Sequence, residues 1–199
     1  MIGQQQAIET GHILKALFTV DEEVLSYALK KVNANTQRIE QALDSILKTL
    51  CASKPITGLV NNAGIVGAQP LSEINLETMD EVFQVNLGAA TQCAQHCSST
   101  MKQQGVGSIV NISSELVLGL PNRTAYTSSK AALISATRTW ALELSRNNIT
   151  VNAIAPGFFN TKLTESLFKD PKKLQTLAGK TMINRNGEER DLFGISVFL

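Results

Sequence analysis

Three short apolar runs at residues 56–61, 108–112 and 149–154 are separated by long stretches of helical periodicity near 75–103 and 124–146. That alternation constrains the fold more than any other feature. Parallel strands need a long crossover, usually a helix, so strands alternating with helices predict a parallel α/β sheet with right-handed connections. The first run ends in the turn Asn-Asn-Ala-Gly at 61–64, as expected of a buried strand whose carboxyl end opens onto a ligand crevice. The runs 56–61 and 149–154 are expected as the two edges of the sheet, exposing unpaired backbone unless something covers them.

Residues 4–50 read differently. Ile13, Leu14, Leu17 and Phe18, then Val24, Leu25, Ala28 and Leu29, then Ile39, Leu43, Ile46 and Leu47 recur at helical spacing and predict three helices. Asp21 reads as an N-cap and Asn33 to Asn35 as a break between helices. The character changes after Lys54-Pro55, so a boundary is expected near 50–55, dividing a helical segment (1–50) from an α/β part (51–199). The tail, 162–199, reads as short helices around a loop at 184–187.

Composition narrows the function classes. A chain of 199 residues with a net charge of +1 has no electrostatic footprint for nucleic acid or an anionic membrane. The sequence has no apolar stretch long enough to span a bilayer and no signal-peptide pattern, which makes the cytoplasm the expected location. Cys51, Cys93 and Cys97 predict no disulfide framework. Cys93, His96 and Cys97 share a helix face but fall short of a four-ligand zinc set, and no metal is expected.

The chemistry concentrates in AYTSSK, where Tyr126 and Lys130 lie four residues apart near a helix start and so share a face. An ammonium beside a phenol stabilises the phenolate and lowers its pKa toward the working range, allowing general acid catalysis. Upstream, SIVNISS is an apolar strand ending in Ser113 and Ser114, which places a hydroxyl at the carboxyl end of the sheet. Asn86 in FQVNLGAA sits inside a helical stretch, where an amide is a mediocre helix former. After the third strand, NAIAPGFFNT supplies a Pro-Gly turn that lets backbone approach a flat ligand ring.

Taken together, NNAG at 61–64, VNL around Asn86, IVNISS at 109–114, AYTSSK at 125–130, ITVNAIAPG at 149–157 and INRNGEE at 183–189 resemble the short-chain dehydrogenase/reductase family, of the kind that includes 3-oxoacyl-carrier-protein reductases. The resemblance implies a partial Rossmann-like, doubly wound parallel sheet with flanking helices, preceded by the all-α segment. It implies NAD(P)(H)-dependent hydride transfer with a small-molecule carbonyl or alcohol. By the same resemblance, Tyr126 is the general acid or base, Lys130 lowers its pKa and binds the nicotinamide ribose, and Asn86 holds a relay water. Ser114 orients the substrate oxygen, with Ser113 as the alternative. Asn62, Ala63 and Gly64 pass the adenosine side of NAD or NADP, while Pro156, Gly157, Phe159 and Thr161 line the nicotinamide end. A homo-oligomer through the two long helices is implied as well.

Residues 11–47, GHILKALFTVDEEVLSYALKKVNANTQRIEQALDSIL, resemble a helical repeat of the Clp/Hsp100 N-terminal domain, which handles protein clients. No strand followed by a glycine-rich phosphate-binding turn precedes residue 56, and such a turn is where the family holds the cofactor pyrophosphate. Cofactor binding is therefore expected to be weak. The rival readings are a non-catalytic chimera or truncated fragment, and a protein-interaction module acting through the Clp-like helices.

Overall fold

The computed structural model describes residues 36–53, 56–161 and 164–199. In chain order the elements are α1 (Thr36–Ser53), β1 (Gly58–Asn61), α2 (Leu76–Phe83), a π-helical turn (Gln84–Gly88), α3 (Ala89–Gln104), β2 (Gly107–Ile112), α4 (Thr124–Leu144), β3 (Ile149–Ile154), α5 (Glu165–Phe168), α6 (Pro171–Ala178) and α7 (Glu189–Phe198). The first two helices expected within 4–35 lie outside the described residues.

Among the described residues the sheet has three parallel strands in the order β1-β2-β3. Leu59 pairs with Ile109 and Ile109 with Val151. The expected edge positions of 56–61 and 149–154 are those observed, with 107–112 between them. Two residues expected at the start of the first strand, Ile56 and Thr57, precede it, although the Thr57 carbonyl still accepts from the Ser108 N–H at 2.8 Å.

Side chains alternate across a strand, and here that alternation sorts the core. Leu59, Ile109 and Val151 face Ala94, Cys97 and Met101 of α3 in one buried cluster, which Leu144 of α4 closes. Leu50 and Cys51 of α1 pack against the same cluster, and Leu47 of α1 is fully buried. The Asp44 carboxylate meets His96 of α3 at 2.9 Å. The helix that straddles the expected boundary at 50–55 is thus packed on the α/β core.

The long helical stretch expected over 75–103 is three pieces. The π-helical turn at Gln84–Gly88 interrupts it, and a wide turn of this kind aims one residue away from the regular helix surface. That residue is Asn86, which is buried.

Candidate active site

Beyond their last ladder residues the central and outer strands remain joined. The Ser113 N–H donates to the Ile154 carbonyl at 2.7 Å and the Glu115 N–H to the Pro156 carbonyl at 3.0 Å. This fixes two serines at the carboxyl end of the sheet, opposite the first turn of α4. Their hydroxyls do different work. Ser113 Oγ donates to the Lys130 carbonyl at 2.9 Å. Ser114 Oγ accepts from the Leu116 N–H at 3.1 Å and lies close enough to the Tyr126 phenol to lower its pKa. Of the two serines, Ser113 spends its hydroxyl on the backbone of α4, and Ser114 lies beside the phenol.

Tyr126 and Lys130 share the buried side of α4. Burial pushes the Tyr126 phenol up, and the Ser114 hydroxyl partly offsets this. Lys130 Nζ donates to the Ile112 carbonyl at 2.8 Å. Burial brings the lysine itself down, from 10.5 to about 8. The group poised near neutrality is the amine.

Asn86 is bonded at both ends of its amide. Its Oδ1 accepts from the Ile65 N–H at 2.8 Å, and its Nδ2 donates to the Ile65 carbonyl at 3.0 Å and to Ser129 Oγ at 2.9 Å. It thereby pins the residue after the Asn62–Gly64 turn. A Cβ on Gly64 would come within 3.3 Å of both Asn86 Oδ1 and Lys130 Nζ, so the turn passes directly over the amine because position 64 carries no side chain.

On the opposite wall, the Gly187 N–H donates to the Phe158 carbonyl at 2.9 Å, and the Phe159 ring occupies the space a Cβ on Gly187 would need. Thr164 Oγ1 donates to the Phe159 carbonyl, and the Thr161 N–H donates to Thr164 Oγ1 at 3.0 Å. Between the walls lies an open cavity of about 1400 Å³, lined by Asn62, Gly64, Ser114, Tyr126, Lys130 and Phe159 among others. Pro156, Gly157 and Thr161 also line it. Ala63 shares the turn without lining the cavity, and Asn86 stands behind Gly64.

Sequence reasoning overlooked Ser129, which is fully buried and donates to the Tyr126 carbonyl at 2.9 Å. It also overlooked Asn111 and Thr137. An amide in the middle of the apolar run IVNI was the available signal, since such a group inside a sheet must be hydrogen-bonded. His96, weighed as a metal ligand, pairs with Asp44.

A protein-family model described as short chain dehydrogenase matches residues 10–172. The chain is 36% identical over 162 residues to 5-keto-D-gluconate 5-reductase of Escherichia coli, covering 81% of this chain and 63% of that protein. It is 40% identical over 142 residues to a 3-oxoacyl-[acyl-carrier-protein] reductase of Thermotoga maritima, covering 71% of this chain and 57% of that protein. The chain therefore spans about three fifths of the length of these relatives. A gluconate 5-dehydrogenase from Burkholderia cenocepacia, solved with NADP and tartrate, superposes with a TM-score of 0.76 at 30% identity over 80% of this chain and 63% of that one.

Proposed function

Since the chain belongs to the short-chain dehydrogenase family, we propose that it is an NAD(P)(H)-dependent oxidoreductase that interconverts a small-molecule carbonyl and its alcohol, with chemistry like that of the 3-oxoacyl reductases. One observation carries this reading: Ser114, Tyr126 and Lys130 come together in the lining of one cavity, with the serine beside the phenol.

The residues present fit the nicotinamide half of a dinucleotide. With no side chain at position 64, the turn backbone lies tight against Lys130, and the Pro156–Thr161 loop is tied as the facing wall by Gly187 and Thr164. Tyr126 and Lys130 below, and Pro156, Gly157, Phe159 and Thr161 on the far wall, would hold it, while Asn62, Ala63 and Gly64 would pass toward the adenosine side. NADP in the Burkholderia relative supports a cofactor of this class. When bound, the nicotinamide supplies or accepts the hydride.

The chain's own groups handle the proton. Ser114 orients the substrate oxygen, and Tyr126 gives up its proton to that oxygen as negative charge builds there. A raised phenol pKa keeps the proton on Tyr126 until the substrate oxygen becomes basic enough to take it. Lys130, with a pKa of about 8, exchanges protons near neutrality and can resupply the phenol. Asn86 fixes the Ile65 backbone and so the turn above the amine.

We also infer that the boundary of the dehydrogenase fold lies upstream of α1, which supplies Leu47 to its core. The family match running from residue 10 supports that placement over a Clp-like module. Self-association through the long helices α3 and α4 and a cytoplasmic location belong to the same proposal. No helix among the described residues is long and apolar enough to cross a membrane.

The test is a fluorescence titration of the full chain with NADPH and NADH, followed by turnover assays on a carbonyl panel. Saturable binding with turnover is expected; absence of binding at millimolar cofactor would overturn the reading.

A further inference from the structure

A helix usually covers a parallel sheet through apolar side chains. Between β2 and α4 one line of contact is polar. Asn111, in the middle of the central strand, has no exposed surface. Its Oδ1 accepts from Asn61 Nδ2 at 2.8 Å, and its Nδ2 donates to Thr137 Oγ1 at 2.9 Å. Thr137 Oγ1 donates onward to the Leu133 carbonyl at 2.8 Å. Two residues along the same face of β2, Ser113 grips the Lys130 carbonyl. The strand thus holds the helix at two points, Lys130 and Thr137, about two turns apart.

Two grips do what one cannot, since a single hydrogen bond leaves the helix free to rotate about it. Apolar contacts tolerate small slides, because burial is non-directional. Buried polar atoms do not, because a displaced partner leaves a donor or acceptor unsatisfied. The position of α4 on the sheet is therefore discrete. Asn111 also divides its amide between the two halves of the site: the oxygen serves Asn61, which leads into the Asn62–Gly64 turn, and the nitrogen serves the helix bearing Tyr126 and Lys130.

We propose that Asn111, acting through Thr137 and together with Ser113, is a positioning residue that locks α4 to the central strand at the register placing Lys130 Nζ on the Ile112 carbonyl and Tyr126 beside Ser114. The proposal rests on the dehydrogenase reading only for why those positions matter. The geometry itself does not depend on it.

The test reads Lys130 directly. The full chain is labelled with [13C,15N]-lysine, the Lys130 resonance is assigned by loss in Lys130→Arg, and its titration is followed by NMR. Burial is what lowers this amine, so a shifted helix that lets water reach it raises its pKa. Thr137→Val, which removes the hydroxyl at nearly constant shape, is expected to move the Lys130 titration upward by ~0.5 pH unit or more. Thr137→Ser should restore the wild-type value. Ile149→Val, which loosens the core away from the grips, should leave it in place. Should Thr137→Val not fold, Ser113→Ala removes the other grip and is expected to shift Lys130 in the same direction. A folded Thr137→Val or Ser113→Ala with an unmoved Lys130, or an Ile149→Val shift of equal size, would overturn the proposal. A wild-type chain that binds no cofactor would sink the dehydrogenase reading and leave this titration readable.

Discussion

Lys130 Nζ donates to the carbonyl of Ile112, the last residue of the central strand, at 2.8 Å. The cation of the Tyr-Lys pair is thereby tied to the sheet, and burial brings its pKa down to about 8.

This has a consequence for stability. The folded-state pKa of Lys130 is lowered from 10.5 to about 8, so below pH 8 the amine is charged both folded and unfolded and the burial penalty is fully present. Between 8 and 10.5 the folded chain sheds the proton first, and the penalty fades as pH rises. Replacing Lys130→Met removes the titration. The stability difference between variant and wild type, from urea unfolding, should move in favour of wild type by on the order of 3 kcal/mol between pH 7 and 10.5. A difference that stays flat with pH refutes the assignment.

Tyr126→Phe should keep cofactor affinity and lose turnover by roughly 10²–10⁴-fold, the range for removing a general acid. Parallel fluorescence titration and steady-state assays separate the two. Turnover within a few fold of wild type would exclude the phenol as proton donor.

The two serines should part company. Ser114→Ala removes the hydroxyl facing the phenol and is expected to lower kcat by ~10–100-fold. Ser113→Ala breaks the bond to the Lys130 carbonyl and is expected to cost about 0.5–1.5 kcal/mol of stability with a smaller loss of kcat. Thermal melts run beside kinetics distinguish them, and the reverse pattern would reassign the catalytic serine.

Gly187→Ala drives a methyl group into the Phe159 ring. Overpacking of this kind costs about 1–3 kcal/mol. Because that ring belongs to the cavity wall, cofactor affinity should fall by on the order of 10-fold. Adding Phe159→Leu should restore part of the loss. No change in affinity would place the ring outside the cofactor's reach.

Leu47→Ala tests whether α1 belongs to the α/β core. Leu47 is 1% exposed, and truncating such a leucine typically costs about 2–5 kcal/mol. A single cooperative melt shifted downward is expected. An unshifted melt would restore the boundary to residues 50–55.

Much of this was readable in the sequence. The strand 149–154 and the start of α4 at Thr124 follow from apolar pattern and spacing, because both elements repeat a strict period. The break at Gln84–Gly88 was not, since a π-helical turn disturbs helical periodicity by a fraction of a turn and leaves no Pro or Gly at its start. Tyr126 and Lys130 are visible as a spacing and Ser114 through the family resemblance, but the amine's bond to Ile112 depends on rotamer and burial, which no spacing encodes. Asn111 was passed over because the apolar period of IVNI hides a polar residue whose partners lie 50 and 26 positions away.

The π-helical turn at Gln84–Gly88 makes the site sensitive to chain length as well as to residue identity. Losing one residue there would let the helix close into regular α-geometry and swing everything on one side of it by about 100° relative to the other. Asn86 would keep its chemistry and lose its address, while α2 and α3 could no longer both lie where they do. Alanine scanning of the segment would find only Asn86; a deletion scan would find that every position in the turn is needed to hold the amide where it is.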